Sequence, residues 1–175
     1  MPSINNSVSV CLIGMMGAGK STVGPLLAER LKRPFIDMDG HIESTEGMSS
    51  EAIFKGPGEH YFRELEGHLL PQIIGDNVIA CGGGIVTLPE SRTILGAQST
   101  LYLRATVATL ESRLKGGGAR PLLPTDQPLP DQLRRLLEER RNHYESSAQW
   151  IVDVDNLPPG EIVDIMVTRI MGHPA

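Results

Sequence analysis

The sequence predicts an α/β protein in which a five-stranded, mainly parallel sheet is flanked by helices. Two observations support this fold class. Short β-rich runs alternate with longer amphipathic stretches along all 175 residues, as in consecutive strand–helix units. The strand runs are also continuously apolar, which is typical of parallel strands that are covered on both faces. The length is that of one domain, and we expect a single domain over residues 1–175.

The first strand is predicted at residues 8–13, which are mainly apolar and rich in β-branched side chains. It stops at Gly14, where a glycine-rich loop begins. Residues 20–31 have the spacing of an amphipathic helix. A brief second strand is predicted at 35–37, because Phe and Ile there follow a proline.

Helical segments are predicted between residues 42 and 74. We expect breaks around Gly47 and at residues 56–58, Gly-Pro-Gly, because glycine and proline interrupt helices. The third strand is predicted at residues 78–81, Val-Ile-Ala-Cys, and residues 82–84 end it with three glycines.

The last third of the chain supplies two more strands, at 100–103 and 151–153. Helices are predicted after the fourth strand up to Leu114, at 129–147 and at 159–171. The glycines and prolines from Gly116 to Pro130 make a loop that is much longer than an ordinary connection. Loops of this kind often act as lids over active sites.

Composition excludes several classes of protein. The formal net charge of −5 argues against a general nucleic-acid surface. No apolar run approaches the ~20 residues of a membrane span, and the first residues lack the parts of an export signal. Cys11 and Cys81 lie in apolar runs and are expected to be buried free thiols. We therefore expect a cytoplasmic protein without nucleic-acid or membrane partners.

Residues 14–21 read Gly-Met-Met-Gly-Ala-Gly-Lys-Ser and match the phosphate-loop pattern GxxxxGK[ST]. The glycines let successive N–H groups point at one phosphate group, and the next helix adds the positive end of its dipole. Lys20 can reach the β- and γ-phosphates of a nucleotide, and Ser21 can ligate Mg²⁺. An incidental glycine-rich turn is disfavoured, because a strand precedes the motif and a helix follows it. The loop indicates a nucleotide but not a reaction.

Two aspartates follow the second strand, and open α/β sheets bind ligands at the carboxyl ends of their strands. Asp37 and Asp39 would point the same way if the strand continued that far. They could hold a Mg²⁺-bound water and orient or deprotonate an attacking hydroxyl. An ordinary Asp-Gly turn at Asp39 is the alternative.

Arginines and a glycine run are the other candidates for the acceptor side. Arg63 and Glu66 have the spacing of an exposed i,i+3 ion pair, which is the local interpretation. The glycines at 82–84 would let a ligand approach the backbone closely. Arg120 lies in the long loop, and Arg140 has charged neighbours that are typical of a solvated helix face.

Taken together, these segments resemble the shikimate kinase family along nearly the whole chain. The matching segments are GMMGAGKST at 14–22, FIDMD at 35–39, GEHYFRELE at 58–66, GGG at 82–84, RPLL at 120–123 and RRNHY at 140–144. The resemblance implies a three-layer phosphate-loop kinase fold with a mobile lid at about 114–130. It implies transfer of a phosphoryl group from ATP, with Mg²⁺, to a hydroxyl of shikimate, a step towards aromatic amino acids. We expect a monomer.

The resemblance also implies roles for individual residues. The residues implied for ATP binding are Gly17, Ala18, Gly19, Lys20, Ser21, Thr22, Arg113, Arg120 and Pro159. Those implied for shikimate binding are Asp39, Arg63, Gly82, Gly83, Gly84 and Arg140. The residues implied for catalysis are Lys20, Asp39 and Arg120. Mg²⁺ would be bound by Ser21 directly and by Asp37 through a water molecule. Glu66 would position Arg63.

Two other interpretations stay open. Another small phosphate-loop kinase, acting on gluconate or a nucleoside monophosphate, would share the loop. Gluconate is also a hydroxylated carboxylate, so two arginines alone do not exclude it. A nucleotide-binding regulator without turnover is the second interpretation. Such a protein should have lost part of the set Lys20, Ser21, Asp39, Arg63 and Arg120, and all five are present.

Overall fold

The computed structural model describes residues 8–116, 123 and 126–172. Its strands are β1 (Val10–Ile13), β2 (Phe35–Asp37), β3 (Val78–Ala80), β4 (Ser99–Arg104) and β5 (Trp150–Asp153). Within these residues the strands form one sheet in the order β2-β3-β1-β4-β5, and each neighbouring pair is parallel. The predicted five-stranded parallel sheet is confirmed.

Helices flank this sheet and form the other two layers. The helices in the described part of the chain are α1 (Lys20–Leu31), α2 (Met38–Glu46), α3 (Ser50–Lys55), α4 (Glu59–Ile73), α5 (Pro89–Gly96), α6 (Val107–Lys115), α7 (Leu129–Ser147) and α8 (Pro159–Met171). Helix α1 packs against α8 and β3, and α7 packs against α5, α6 and β4. No helix in these segments is long and apolar enough to cross a membrane.

The hydrophobic core is centred on β1, which lies between β3 and β4. All four residues of β1 are fully buried, which explains its uninterrupted apolar sequence. Cys11 of β1 and Cys81, just after β3, are buried free thiols. A hydrogen bond between these thiols, together with burial, raises the pKa of Cys81 well above its ordinary value. The expected burial is confirmed, and the two thiols are in contact.

The start of α2 corrects the expectation for the second strand. The strand ends at Asp37, whose Oδ1 accepts a hydrogen bond from the N–H of Gly40 at 3.3 Å and so caps the helix. Asp39 therefore lies in the first turn of α2, neither on an extended strand nor in an isolated Asp-Gly turn. Helical structure begins at Met38 rather than at Ile42.

Smaller corrections concern element ends and one helix. Strand β1 begins at Val10 rather than residue 8, and β5 begins at Trp150 rather than residue 151. Helix α5 was not predicted, although Pro89 occupies its first turn, where proline suits a helix. Most of the lid predicted at about 114–130, including Arg120, lies outside the described residues.

Candidate functional site

The loop between β1 and α1 depends on glycine at several positions. Gly17 and Gly19 have φ angles of 80° and 100°, in the region that glycine adopts without strain. At Gly14, a Cβ atom would lie 2.6 Å from the carbonyl oxygen of Leu103 on β4. No side chain in the described segments caps the start of α1, so its first N–H groups are available to an anion.

Lys20, the first residue of α1, lies over this loop. Its side chain is buried, and Nζ donates hydrogen bonds to the carbonyl oxygens of Gly14 at 2.8 Å and Met15 at 2.9 Å. Burial lowers the pKa of Lys20, while the nearby carboxylates of Asp39 and Asp37 oppose that shift. The loop thus presents a positive charge beside two acidic groups.

Ser21 and Asp37 bring two oxygen atoms together near the loop. The Ser21 hydroxyl donates a hydrogen bond to Oδ2 of Asp37, with 2.5 Å between the oxygens. In the described residues no group of three or more His, Cys, Asp or Glu side chains could hold a metal. Magnesium ions prefer oxygen ligands and often take only one or two from the protein, with phosphates and water completing the shell. The Ser21–Asp37 pair fits such a partial site.

A cavity of about 580 Å³ opens over the loop. Its lining includes residues 16–23, Asp37, Asp39, Ala80, Cys81, Arg113, Leu114, Leu157, Pro159 and Ile162. The cavity lining therefore includes the phosphate loop, both aspartates and the two residues predicted to flank an adenine, Arg113 and Pro159. The cavity has the size and the mixed polar and apolar lining of a small-ligand site.

Arg113 connects α6 to the loop and to the residue after β5. Its Nη1 donates to the carbonyl oxygens of Ala18 at 3.0 Å and Gly17 at 3.3 Å, and Nη2 donates to that of Val154 at 3.1 Å. The guanidinium therefore forms part of the cavity wall, although Arg113 as a whole is exposed.

Asp39 lies where the phosphate loop meets a second group of charges. Solvent reaches its side chain, yet the surrounding protein reduces its hydration and raises the pKa of the carboxyl. The charge of Asp37 adds to this rise, and Lys20 and Arg63 oppose it. Asp39 thus interacts electrostatically with cations on both sides.

Arg63 and Glu66 form an ion pair on α4, but the expectation that this pair is exposed is wrong. Arg63 is 7% exposed and Glu66 is fully buried. Nη1 of Arg63 donates to Oε2 of Glu66 at 2.5 Å, and Nη2 donates to Oε1 of Glu59 at 3.0 Å. Burial raises the pKa of Glu66 to about 7, although Arg63 opposes the shift. Arg63 is thereby held in one orientation.

The three glycines after β3 make room for these charged side chains. A Cβ atom on Gly84 would lie 2.1–2.3 Å from three guanidinium atoms of Arg63. A Cβ atom on Gly82 would lie 2.0 Å from Oε1 of Glu66 and 2.9 Å from Oδ1 of Asp39. Real Cβ atoms do not approach so closely, so glycine is required by packing here and not only by the turn.

Arg140 on α7 completes this second group, and the solvated-face interpretation of it is wrong. Its side chain is buried, and Nη1 donates to the carbonyl oxygen of Gly83 at 3.2 Å. The hydroxyl of Tyr144 donates to the same carbonyl oxygen. Arg140 faces inward because α7 packs on the segment after β3.

The structure thus brings the predicted residues together in two adjoining groups. The phosphate loop, with Thr22, Asp37, Asp39, Arg113 and Pro159, lines the cavity. Arg63, Arg140 and the glycines at 82–84 form the second group, which we call the arginine–glycine cluster. Arg120 lies outside the described residues.

Sequence reasoning missed two members of the arginine–glycine cluster. Glu59, the second partner of Arg63, precedes it by four residues. Tyr144 follows Arg140 by four residues. In both cases an i,i+4 relation on one helix was the available signal.

Comparisons with known proteins identify the family of this chain. The shikimate kinase family model matches residues 16–171. A shikimate kinase of Dehalococcoides mccartyi is 38% identical over 89% of this chain and 89% of its own length. One of Synechococcus sp. is 45% identical over 78% of this chain and 74% of its own length.

Solved structures give the same result. A shikimate kinase of Acinetobacter baumannii, in complex with shikimate, has a TM-score of 0.91 and 31% identity, covering 96% of this chain and 95% of its own. A gluconokinase of Sinorhizobium meliloti has a TM-score of 0.55 and 20% identity, covering 94% of this chain and 93% of its own, so it shares the fold alone. The resemblance found in the motifs is confirmed: this chain belongs to the shikimate kinase family.

Proposed function

We propose that the protein transfers the γ-phosphoryl group of ATP to a hydroxyl of shikimate, giving shikimate 3-phosphate and ADP. The observation that carries the proposal is the position of Asp39, whose carboxyl interacts electrostatically with Lys20 of the phosphate loop and with Arg63 of the arginine–glycine cluster. A hydroxyl held by Asp39 would therefore face the nucleotide, while the rest of the acceptor contacts the arginines.

On the nucleotide side, we expect the loop N–H groups and Lys20 to bind the phosphates. Lys20 would exchange its bonds to the loop carbonyls for phosphate oxygens. Arg113 and Pro159, which also line the cavity, would flank the adenine. Ser21 and, through water, Asp37 would hold Mg²⁺, which supplies charge neutralisation of the β- and γ-phosphates when bound.

On the acceptor side, Arg63 and Arg140 would bind the carboxylate of shikimate, because planar guanidinium groups can bond both of its oxygens. The glycines at 82–84 would allow the ring to approach the backbone. Asp39 would orient the attacking hydroxyl and accept its proton. Phosphoryl transfer depends on alignment and charge stabilisation, and Arg120 stays a predicted contributor to the latter.

Other small-metabolite kinases and a regulator without turnover are less well supported. The gluconokinase structure is under 25% identical and therefore supports the shared fold, not its substrate. A regulator would not require the carboxylate–arginine arrangement around Asp39. A single-domain, monomeric, cytoplasmic enzyme without nucleic-acid or membrane partners stays our prediction.

The deciding experiment measures ADP release by a coupled assay with MgATP. Shikimate, gluconate, a nucleoside monophosphate and a sample without acceptor are compared. We expect strong stimulation by shikimate alone. Stimulation by another acceptor would overturn the assignment of shikimate as the substrate. ATP binding without stimulation by any acceptor would favour the interpretation as a regulator.

A further inference from the structure

The carbonyl oxygen of Gly83 accepts two hydrogen bonds, and both donors come from α7. Nη1 of Arg140 donates at 3.2 Å, and the hydroxyl of Tyr144 is the second donor. These residues are four apart and share one face of the helix. Arg140, which we propose as a binder of the shikimate carboxylate, and Tyr144 therefore donate to the same backbone oxygen.

The ring of Tyr144 is held firmly in place. Its side chain is fully buried and stacks on Tyr102 with ring centroids 4.9 Å apart and 17° between the planes. Tyr102 lies on β4, in register with Ile13 at the end of β1. Burial raises the pKa of the Tyr144 hydroxyl to about 12, so it remains a donor at neutral pH. The sheet thus fixes the position of this hydroxyl.

The backbone around Gly83 separates the two parts of the site. A Cβ atom on Gly83 would lie 3.4 Å from the backbone nitrogen of Met16 and 3.6 Å from the carbonyl oxygen of Gly14. The next residue, Gly84, lies against the guanidinium of Arg63. A shift of the Gly83 carbonyl would therefore move the surface that the acceptor contacts.

We propose that Tyr144 is a positioning residue for the carboxylate end of the acceptor, an inference that rests on the proposed function. Its hydroxyl donates to the Gly83 carbonyl and also interacts by a side-chain hydrogen bond with Arg140, so it helps to fix the guanidinium that faces the carboxylate. Without this hydroxyl, Arg140 is the remaining donor, among the described residues, to the partly buried carbonyl oxygen of Gly83. Its guanidinium is then drawn towards the backbone and away from the shikimate carboxylate, because a carbonyl oxygen shielded from water is costly to leave unpaired.

The test compares Tyr144→Phe with Tyr102→Phe. The first variant removes the hydroxyl bonded to Gly83 and keeps the stacked rings. The second removes the neighbouring hydroxyl from the same stack. We expect Tyr144→Phe to raise the KM for shikimate about fivefold, the effect of one hydrogen bond, with kcat and the KM for ATP within about twofold of wild type. Tyr102→Phe should leave kcat and the KM values for shikimate and ATP within about twofold of wild type.

Two further measurements separate positioning from a general structural role. In an Arg140→Ala background, Tyr144→Phe should raise the KM for shikimate no further, because its effect passes through Arg140. With the neutral amide of shikimate as acceptor, the KM ratio between wild type and Tyr144→Phe should approach one. A purely structural effect would persist in both measurements.

Each outcome decides the proposal. An unchanged KM for shikimate in Tyr144→Phe, equal rises for shikimate and ATP, or loss of the folded state in thermal unfolding would each overturn it. A wild-type protein that does not phosphorylate shikimate would overturn the proposed function as well. An active wild type with an unaffected Tyr144→Phe variant would overturn this inference alone.

Discussion

At the scale of single residues, Asp39 has the surroundings of a group that handles a proton. Reduced hydration raises the pKa of its carboxyl, and Lys20 and Arg63 limit the rise. The group is therefore a stronger base than an ordinary aspartate. General bases work best when the pKa approaches the operating pH.

We expect Asp39→Asn to lower kcat by about 10²–10⁴-fold, the usual contribution of a positioned acid or base. The amide keeps the size of the side chain but cannot accept the proton. The KM for ATP should change by less than about twofold, since the phosphate loop is untouched. Steady-state kinetics with both substrates measure this.

The matched control is Asp76→Asn. Asp76 pairs with Arg33 and precedes β3, at the opposite end of that strand from Asp39. Its replacement should leave kcat unchanged. Near-normal turnover in Asp39→Asn would remove Asp39 from the catalytic role.

Glu66 links stability to pH. Its pKa is raised to about 7 in the folded protein, above the 4.5 of an unperturbed glutamate. Between these values the folded state holds a proton that the unfolded chain has released, so stability falls as pH rises through this window. Relative to Glu66→Gln, the free energy of unfolding of the wild type should fall by up to about 1.4 kcal/mol per pH unit. Denaturant unfolding at several pH values from 5 to 8 measures it, and parallel curves would contradict the assignment.

Residues differ in how well the sequence predicts their environment. Lys20 and Ser21 belong to a contiguous motif, so their place at the start of α1 could be read directly. Burial of Glu66 and the bond from Tyr144 to Gly83 depend on packing between α4, α7 and the segment after β3. Contacts between distant segments leave no local pattern, and charge spacing on α7 even favoured the wrong face for Arg140.

At the scale of elements, the segment that follows β3 determines how the arginine–glycine cluster is packed. Gly84→Ala would place a Cβ atom within 2.1–2.3 Å of the Arg63 guanidinium, so Arg63 must move. We expect the KM for shikimate to rise at least tenfold, because two or more charge-assisted bonds would be misaligned. The KM for ATP should stay within about twofold.

Gly96→Ala is the control for this substitution. Gly96 ends α5, and nothing lies within 4 Å of the position that its Cβ atom would take. Its kinetics should match the wild type, and the helix should be no less stable. Equal effects of the two substitutions on the KM for shikimate would contradict the packing argument.

Elements were predictable where local signals were strong. The bounds of α1, α7 and α8 agree with the prediction, since each has a clear apolar period and a glycine or proline near its start. Helix α5 was missed because it has only eight residues, too few for a clear period. The start of α2 was misplaced because Asp37 acts as a helix cap as well as ending a strand.

At the scale of the whole molecule, β1 is the central strand of the sheet and is fully buried. Leu12 is fully buried, and β1 pairs with strands on both sides. Leu12→Ala should lower the free energy of unfolding by about 2–5 kcal/mol, through lost burial and a cavity. Chemical denaturation measures the change.

Met171→Ala is the comparison for Leu12→Ala. Met171 is 73% exposed at the end of α8, so its replacement should cost less than about 0.5 kcal/mol. Similar losses in the two variants would mean that β1 is not the centre of the core.

The central place of β1 also has a consequence for the time at which the chain can fold during synthesis. Val10 leaves the ribosome before both of its strand partners, which are Val78 on one side and Ser99 on the other. Strand β1 therefore cannot pair with β4 until about 90 more residues have been synthesised. At translation rates of about 5–20 residues per second this wait lasts several seconds. During that interval the nascent chain exposes an apolar strand without its hydrogen-bonding partners. We therefore expect the yield of folded protein in cells to depend on chaperones more than the stability of the folded protein suggests.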